Sequence, residues 1–282
     1  MKLLRLSTLV LALVPAIALA IVIHPGVPDS KYLVPDSAFP ALVDLPGEGQ
    51  GVLIAPRWAV TAAHATQGYM LMRVKIHGEW RNVSHVFLYP GFKKEYDKVK
   101  LAAEHPTLKN WPTLKAAFAS MHDIALIELA KPVEDVKPAA LYLAANEQGK
   151  IVKLFGKGAT GNGNVGQYPH SPHRGQLRRA YNRVTSAHEQ WLSYRFDCGP
   201  EALPLEGVIG DGDSGGPVLI QANGEWKLAG LADWKHWPKG HPKFVPGVCG
   251  QVFSNSRISY YAKWINRTMA AHSSQAKSAD AG

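Results

Sequence analysis

The stretch Gly210-Asp211-Gly212-Asp213-Ser214-Gly215-Gly216-Pro217 runs straight into the apolar triplet Val218-Leu219-Ile220. Glycines interleaved with acids force the chain to turn sharply before it enters a strand. A turn of this kind also brings main-chain N–H groups close to a bound group, because no Cβ stands in the way. A hydroxyl placed there can sit beside ready-made donors for a developing oxyanion. Serine is a weak nucleophile, however, and needs a base together with a group that orients the base. Two upstream stretches offer these, Thr61-Ala62-Ala63-His64 and His122-Asp123-Ile124-Ala125-Leu126.

The rest of the chain reads as all-β. Short alternating runs bounded by Gly, Pro and Asn recur, and helical periodicity is sparse. Strands are expected at residues 39–45, 51–54, 58–62, 70–77, 80–88 and 124–129. A second set is expected at 151–155, 176–184, 190–196, 218–221, 226–232 and 251–254. Asn223-Gly224 is a hairpin signal between two of them. Residues 93–120 are charged and carry Pro106 and Pro112. They read as a surface insertion of loops with a short helix. The glycine-rich run 156–166 reads as a flexible surface loop near the substrate groove. After Ser256, residues 257–269 place Ile258, Tyr261, Ala262 and Ile265 on one helical face. Residues 271–282 read as a disordered polar tail.

The first twenty residues read as a leader rather than as fold. Lys2 and Arg5 precede an apolar run, and Ala18-Leu19-Ala20 is a small-x-small cleavage signal. The run is too short for a membrane span and Pro15 interrupts it. The expectations are cleavage after Ala20, a secreted or periplasmic product and no stable membrane insertion. Formal net charge is +9, of which Lys2 and Arg5 supply two. The excess is scattered and lacks the basic stripe with interleaved aromatics that a nucleic-acid partner would need. The chain has two cysteines, Cys198 and Cys249. In an exported protein an even pair reads as a disulfide, here closing a loop of about fifty residues worth ~4 kcal/mol on the chain-entropy model. Metal-ligand spacings such as His-Glu-x-x-His or Cys-x-x-Cys do not occur, so neither a metal nor a cofactor is expected.

Gly212-Asp213-Ser214-Gly215-Gly216-Pro217, Thr61-Ala62-Ala63-His64 and Asp123-Ile124-Ala125-Leu126 resemble the three signature stretches of chymotrypsin-like (trypsin-fold) serine proteases, taken here as the secreted bacterial type. The order His, Asp, Ser is that family's order among the convergent triads. The resemblance covers nearly all of the chain after the leader. It implies two packed antiparallel six-stranded β-barrels with a C-terminal helix. Residues 21–135 would form the first barrel with the insertion, and 136–270 the second barrel and the helix. It further implies a monomeric endopeptidase acting on proteins or peptides, with Ser214 as nucleophile, His64 as base and Asp123 as its orienter. The N–H groups of Gly212 and Ser214 would form the oxyanion hole. A free Ile21-Val22 terminus would pair with Asp213, so that removal of the leader activates the enzyme.

The resemblance also places Val208 at the base of the specificity pocket and Asp233, Trp234 and Lys235 along its wall. With no carboxylate at Val208, a small or medium apolar residue is expected before the scissile bond. Family members usually carry serine where Asp233 stands, and Asp233 is expected near the His64–Asp123 pair. Many carry a cysteine where Gly210 stands, so the cysteine pairing departs from their usual scheme. Two other readings of these motifs meet an obstacle in the sequence. A catalytically inactive binding protein of the same fold would lack a triad member, and all three are present. An α/β-hydrolase esterase needs Ser before Asp before His, the reverse of the order here.

Overall fold

The computed structural model describes residues 21–171 and 175–279; the leader at 1–20 lies outside them. The chain opens with a three-residue strand, β1 (Ile21–Ile23). The first barrel contains β2 (Leu42–Asp44), β3 (Gln50–Ala55), β4 (Trp58–Thr61), β5 (Arg73–Ile76) and β6 (Glu79–Leu88). Two helices follow, α1 (Phe92–Glu104) and α2 (Trp111–Ser120), and then β7 (Ala125–Leu129) closes that barrel in the order β2-β3-β4-β7-β6-β5. Next come β8 (Ile151–Gly156), β9 (Thr160–Asn162), β10 (Gly166–Gln167), β11 (Arg178–His188), β12 (Trp191–Arg195), β13 (Gly207–Val208), β14 (Pro217–Ala222), β15 (Glu225–Lys235) and β16 (Val252–Arg257). Six of these form a second closed barrel, β11-β12-β16-β15-β14-β8. The helix α3 (Ile258–Ala279) ends the described chain. The all-β class and the two six-stranded barrels expected from the sequence are therefore present.

Each barrel has its own apolar filling. Val43, Leu53, Ala59, Val74, Ile76, Ile127 and Leu129 are buried in the first. Val152, Leu154, Val184, Leu192, Tyr194, Val218 and Phe253 are buried in the second. A third cluster joins them: Leu42, Val52, Val60 and Leu126 meet Phe155, Leu219, Leu231 and, from α3, Ile258, Tyr261 and Ile265. This shared layer fixes one barrel against the other, and the cleft lies along its edge.

Four departures from the sequence reading have physical causes. β1 pairs with β13 and β9, and Ile21, Val22 and Ile23 are buried with the second barrel's core, although the chain there precedes the first barrel. The insertion is not loops with one short helix. It holds two helices, because Lys93–Asp97 and Lys98–Glu95 pairs support α1 and Pro112 opens α2 instead of breaking it. The glycine run is not a flexible surface loop, since it forms β9, which pairs with β1, and the start of β10, which pairs with β9. Gly158 is one reason: a Cβ there would stand 2.4 Å from the Asp211 carbonyl oxygen. Finally, α3 runs to Ala279, past Met269 and through most of the stretch read as a tail. Residues 270–279 contain no Gly or Pro to stop it.

Candidate active site

His64 follows β4 on a single tight turn, Ala63–Thr66. Ala62 and Ala63 are fully buried, so small side chains let this turn sink against the barrel. The Thr66 hydroxyl closes it by donating to the Ala63 carbonyl at 2.8 Å. Asp123 stands just ahead of β7, and β7 pairs with β4 so that Ala125 faces Thr61. That register carries Asp123 to the end of the barrel where His64 sits. The Asp123 carboxylate holds His64 at two points. Oδ1 accepts the His64 main-chain N–H at 2.8 Å and Oδ2 lies 2.7 Å from Nδ1. A carboxylate bound at Nδ1 fixes the ring's tautomer and leaves Nε2 as the basic nitrogen.

Ser214 comes from the second barrel, in the turn before β14. Its carbonyl accepts the Gln50 N–H of β3 at 2.7 Å, and the Gly215 N–H is bonded to Ala232 of β15 at 2.7 Å. The serine is thus tied to both barrels at once. His64, Ser214, Gly210, Asp211, Asp233, Trp234 and Lys235 line one cleft of about 210 Å³. Gly212 has φ +85°, in the left-handed region where glycine is favoured. Neither the Gly212 nor the Ser214 N–H has an acceptor among the described residues, which leaves both donors available.

The charges follow from burial and pairing. Burial alone would lower the His64 pKa, but the Asp123 charge and hydrogen bond outweigh it and hold the value above the ordinary 6.5. Burial would raise Asp123, yet His64 keeps it below its ordinary range. Asp213 is fully buried and accepts the N–H groups of Gly158 and Gly210 at 2.7 and 2.8 Å. Even so, burial outweighs these bonds and the Lys235 charge and pushes its carboxyl up to about 6. Ile21 is buried in β1, and no hydrogen bond between Ile21 and the Asp213 carboxylate is present among the described residues.

The pocket residues divide. Asp233, Trp234 and Lys235 line the cleft, and Val208 is buried in the second barrel's core, paired with Val22. Lys235 is not a free cation at the mouth. It pairs with Asp211, which also accepts Gln167 Nε2 at 2.7 Å. Asp233 lies beside the His64–Asp123 pair, with Oδ1 3.9 Å from His64 Nδ1. His122 faces away, bonded to the Tyr261 hydroxyl at 3.1 Å. Cys198 and Cys249 form a disulfide.

The sequence reading missed the insertion's part in the cleft. Ala103, Pro106, Trp111, Leu114 and Phe118 line it opposite Trp234 and Phe244. Trp111 packs 5.8 Å from Trp237 and 5.9 Å from Phe244, ring to ring. The end of α2 is held to the second barrel, where Gln190 and Trp191 both donate to the Ala119 carbonyl. Apolar residues inside a charged stretch were the available signal.

Residues 31–265 match the family model described as Trypsin. The chain is 30% identical to the snake venom serine protease salmobin of Gloydius halys, over 78% of this chain and 76% of that protein. It is 29% identical to snake venom serine proteinase 14 of Crotalus adamanteus, over 78% and 77% respectively. A CLIP domain-containing serine protease of Anopheles gambiae is 25% identical over 77% of this chain and 63% of that protein. Among solved structures, neuropsin, a serine protease expressed in the limbic system of mouse brain, superimposes with TM-score 0.58 at 19% identity. That superposition covers 84% of this chain and 98% of neuropsin. These relatives are animal proteins, so the bacterial type expected from the sequence has no support in them.

Proposed function

The chain belongs to the trypsin family of serine proteases, and we propose that it is a secreted endopeptidase working through an acyl-enzyme on the triad His64, Asp123 and Ser214. The observation that carries this reading is the two-point hold of Asp123 on His64 in a cleft that Ser214 shares. In the mechanism His64 Nε2 takes the Ser214 proton as Oγ attacks the scissile carbonyl. The Gly212 and Ser214 N–H groups receive the oxyanion, where losing one donor costs ~3 kcal/mol of barrier. His64 then protonates the leaving amine, and Asp123 stabilises the imidazolium throughout. Water hydrolyses the acyl-enzyme by the same steps in reverse.

Removal of the leader after Ala20 supplies an ammonium at Ile21. That cation would neutralise the buried Asp213 carboxylate and steady the Gly212 turn. The carboxylates lining the cleft, Asp211 and Asp233, are both engaged by protein groups, which argues against recognition of Lys or Arg. The preferred residue before the scissile bond is small or medium and apolar. A peptide-library digest by the mature enzyme tests this. Internal cuts after residues such as Ala or Val are expected, and cuts confined to Lys and Arg would overturn the preference.

A further inference from the structure

Asp233 takes no part in the proton transfers above, yet its carboxyl is packed against the pair that performs them. It stands where β15 slips register against β16, between Ala232 and Trp234, and it is 8% exposed. A bulge of this kind re-aims a side chain. Its Oδ1 is 3.9 Å from His64 Nδ1, and its Oδ2 is 2.8 Å from Ser256 Oγ. One oxygen from each of Asp123 and Asp233 and a ring nitrogen of His64 all lie within 4.8 Å of one another.

Counting hydrogens decides the state of this group. Ser256 Oγ is also 2.9 Å from the main-chain oxygen of Asp123, which can only accept. A hydroxyl carries one hydrogen. Were Asp233 ionised, that hydroxyl would face two acceptors and leave one contact without a proton. The ring hydrogen on His64 Nδ1 is already spent on Asp123 Oδ2 at 2.7 Å. Two ionised carboxylates would then share a buried corner with one imidazole between them. A single added proton removes every conflict.

We propose that Asp233 is a positioning residue for the proteolytic reaction, a neutral carboxylic acid whose O–H donates to Ser256 Oγ while Ser256 donates to the Asp123 carbonyl. The chain of two hydrogen bonds fixes Asp123, and Asp123 in turn orients His64. The surroundings agree. Burial and the adjacent Asp123 charge both push the Asp233 carboxyl well above the usual carboxylate range. From α3 the Tyr261 phenol, itself raised by burial and by these two acids, faces the same corner. From α1, Tyr96, Lys100 and Glu104 line the recess in front of it. On its own strand Lys235 is paired with Asp211. Among the described residues, His64 is the one base within ion-pairing distance of Asp233.

The inference rests on the triad reading, and its test keeps the two apart. The profile of kcat/KM against pH is measured for the mature enzyme and for Asp233→Asn and Asp233→Ala. The His64 ring is titrated by NMR in the same proteins. Asn exchanges one neutral donor for another, so the acid limb should stay within about 0.3 pH of the parent and kcat within about threefold. Ala leaves the charge at zero but removes the donor, so kcat should fall about tenfold at unchanged KM. If Asp233 is ionised instead, Asn deletes a negative charge beside the imidazolium. The acid limb and the His64 titration would then drop by about one pH unit or more, which overturns the proposal. Parental kcat in the Ala variant would overturn it too. Should the Ala variant fail to fold, the Asn variant still decides through both readouts. A parent without proteolysis counts against the triad reading alone, because the His64 titration still reports the charge on Asp233.

Discussion

A serine hydroxyl attacks an amide at neutral pH only when a neutral imidazole can take its proton, so in the proposed mechanism the protonation of His64 controls the rate. Its pKa stands above 6.5 because the Asp123 charge outweighs burial. The sign follows directly: the base is lost as pH falls through that raised value, so kcat/KM should rise with pH on a limb centred above 6.5. Asp123→Asn removes the charge and replaces one of the two acceptor oxygens with an amide donor. It should move that limb downward and cut kcat by about 10⁴-fold, as the loss of a triad orienter does elsewhere; a stopped assay from pH 5 to 9 checks both. These residues were legible in the sequence because each sits in a stretch whose neighbours are also constrained. Ala62 and Ala63 must be small, and Gly212 must turn. Asp233 was expected near the pair, but the hydrogen count at Ser256 depends on coordinates.

Among elements, the long strands were readable from alternation and turn residues, and β6, β11 and β15 lie close to where the pattern puts them. The short strands β1, β9, β10 and β13 were not, since two or three residues carry no period. Helix α1 was hidden by its run of charged residues and α2 by Pro112 at its start. The start of α3 depends on an anchor that sequence alone does not reveal. Arg257 donates Nε and Nη2 to the buried Glu147 carboxylate at 2.9 and 2.7 Å, and Ser259 adds a third hydrogen bond. Glu147→Ala strands the Arg257 charge in the interior and should cost about 3–5 kcal/mol, seen as a lower midpoint in urea unfolding. Burial opposes the Glu147 charge, but the bonds from Arg257 and Ser259 hold its pKa below 4.5. Its contribution is therefore present above the ordinary glutamate range and lost as pH falls through the depressed value. The Ala variant should lose part of the parent's acid sensitivity.

At the scale of the whole molecule, neither barrel holds a working site. The first supplies His64 and Asp123, the second Ser214 and Asp233, and the layer around Phe155, Leu126 and Ile265 sets the distance between them. The two-barrel plan was readable because the three motifs appear in a fixed order along the chain. The role of the insertion in walling the cleft was not, because it depends on where α2 lands. Activation also belongs to this scale. β1 lies between β9 and β13 in a separate four-stranded sheet, and β13 leads to the Asp213 turn. One residue added ahead of Ile21 in the mature protein should reduce kcat by about 100-fold or more while leaving thermal stability near the parent's, since the buried ammonium would be displaced. Mature protein with a native start beyond Val22 would contradict that mechanism. The central claim is that Ser214 is the nucleophile of a protease. Stoichiometric labelling of the mature enzyme with a sulfonyl fluoride, mapped by peptide mass spectrometry, tests it most directly. The account predicts one adduct per chain, located on Ser214, with proteolysis lost in proportion to labelling. Full proteolytic activity with Ser214 unmodified, or an unlabelled and inactive mature protein, would contradict it.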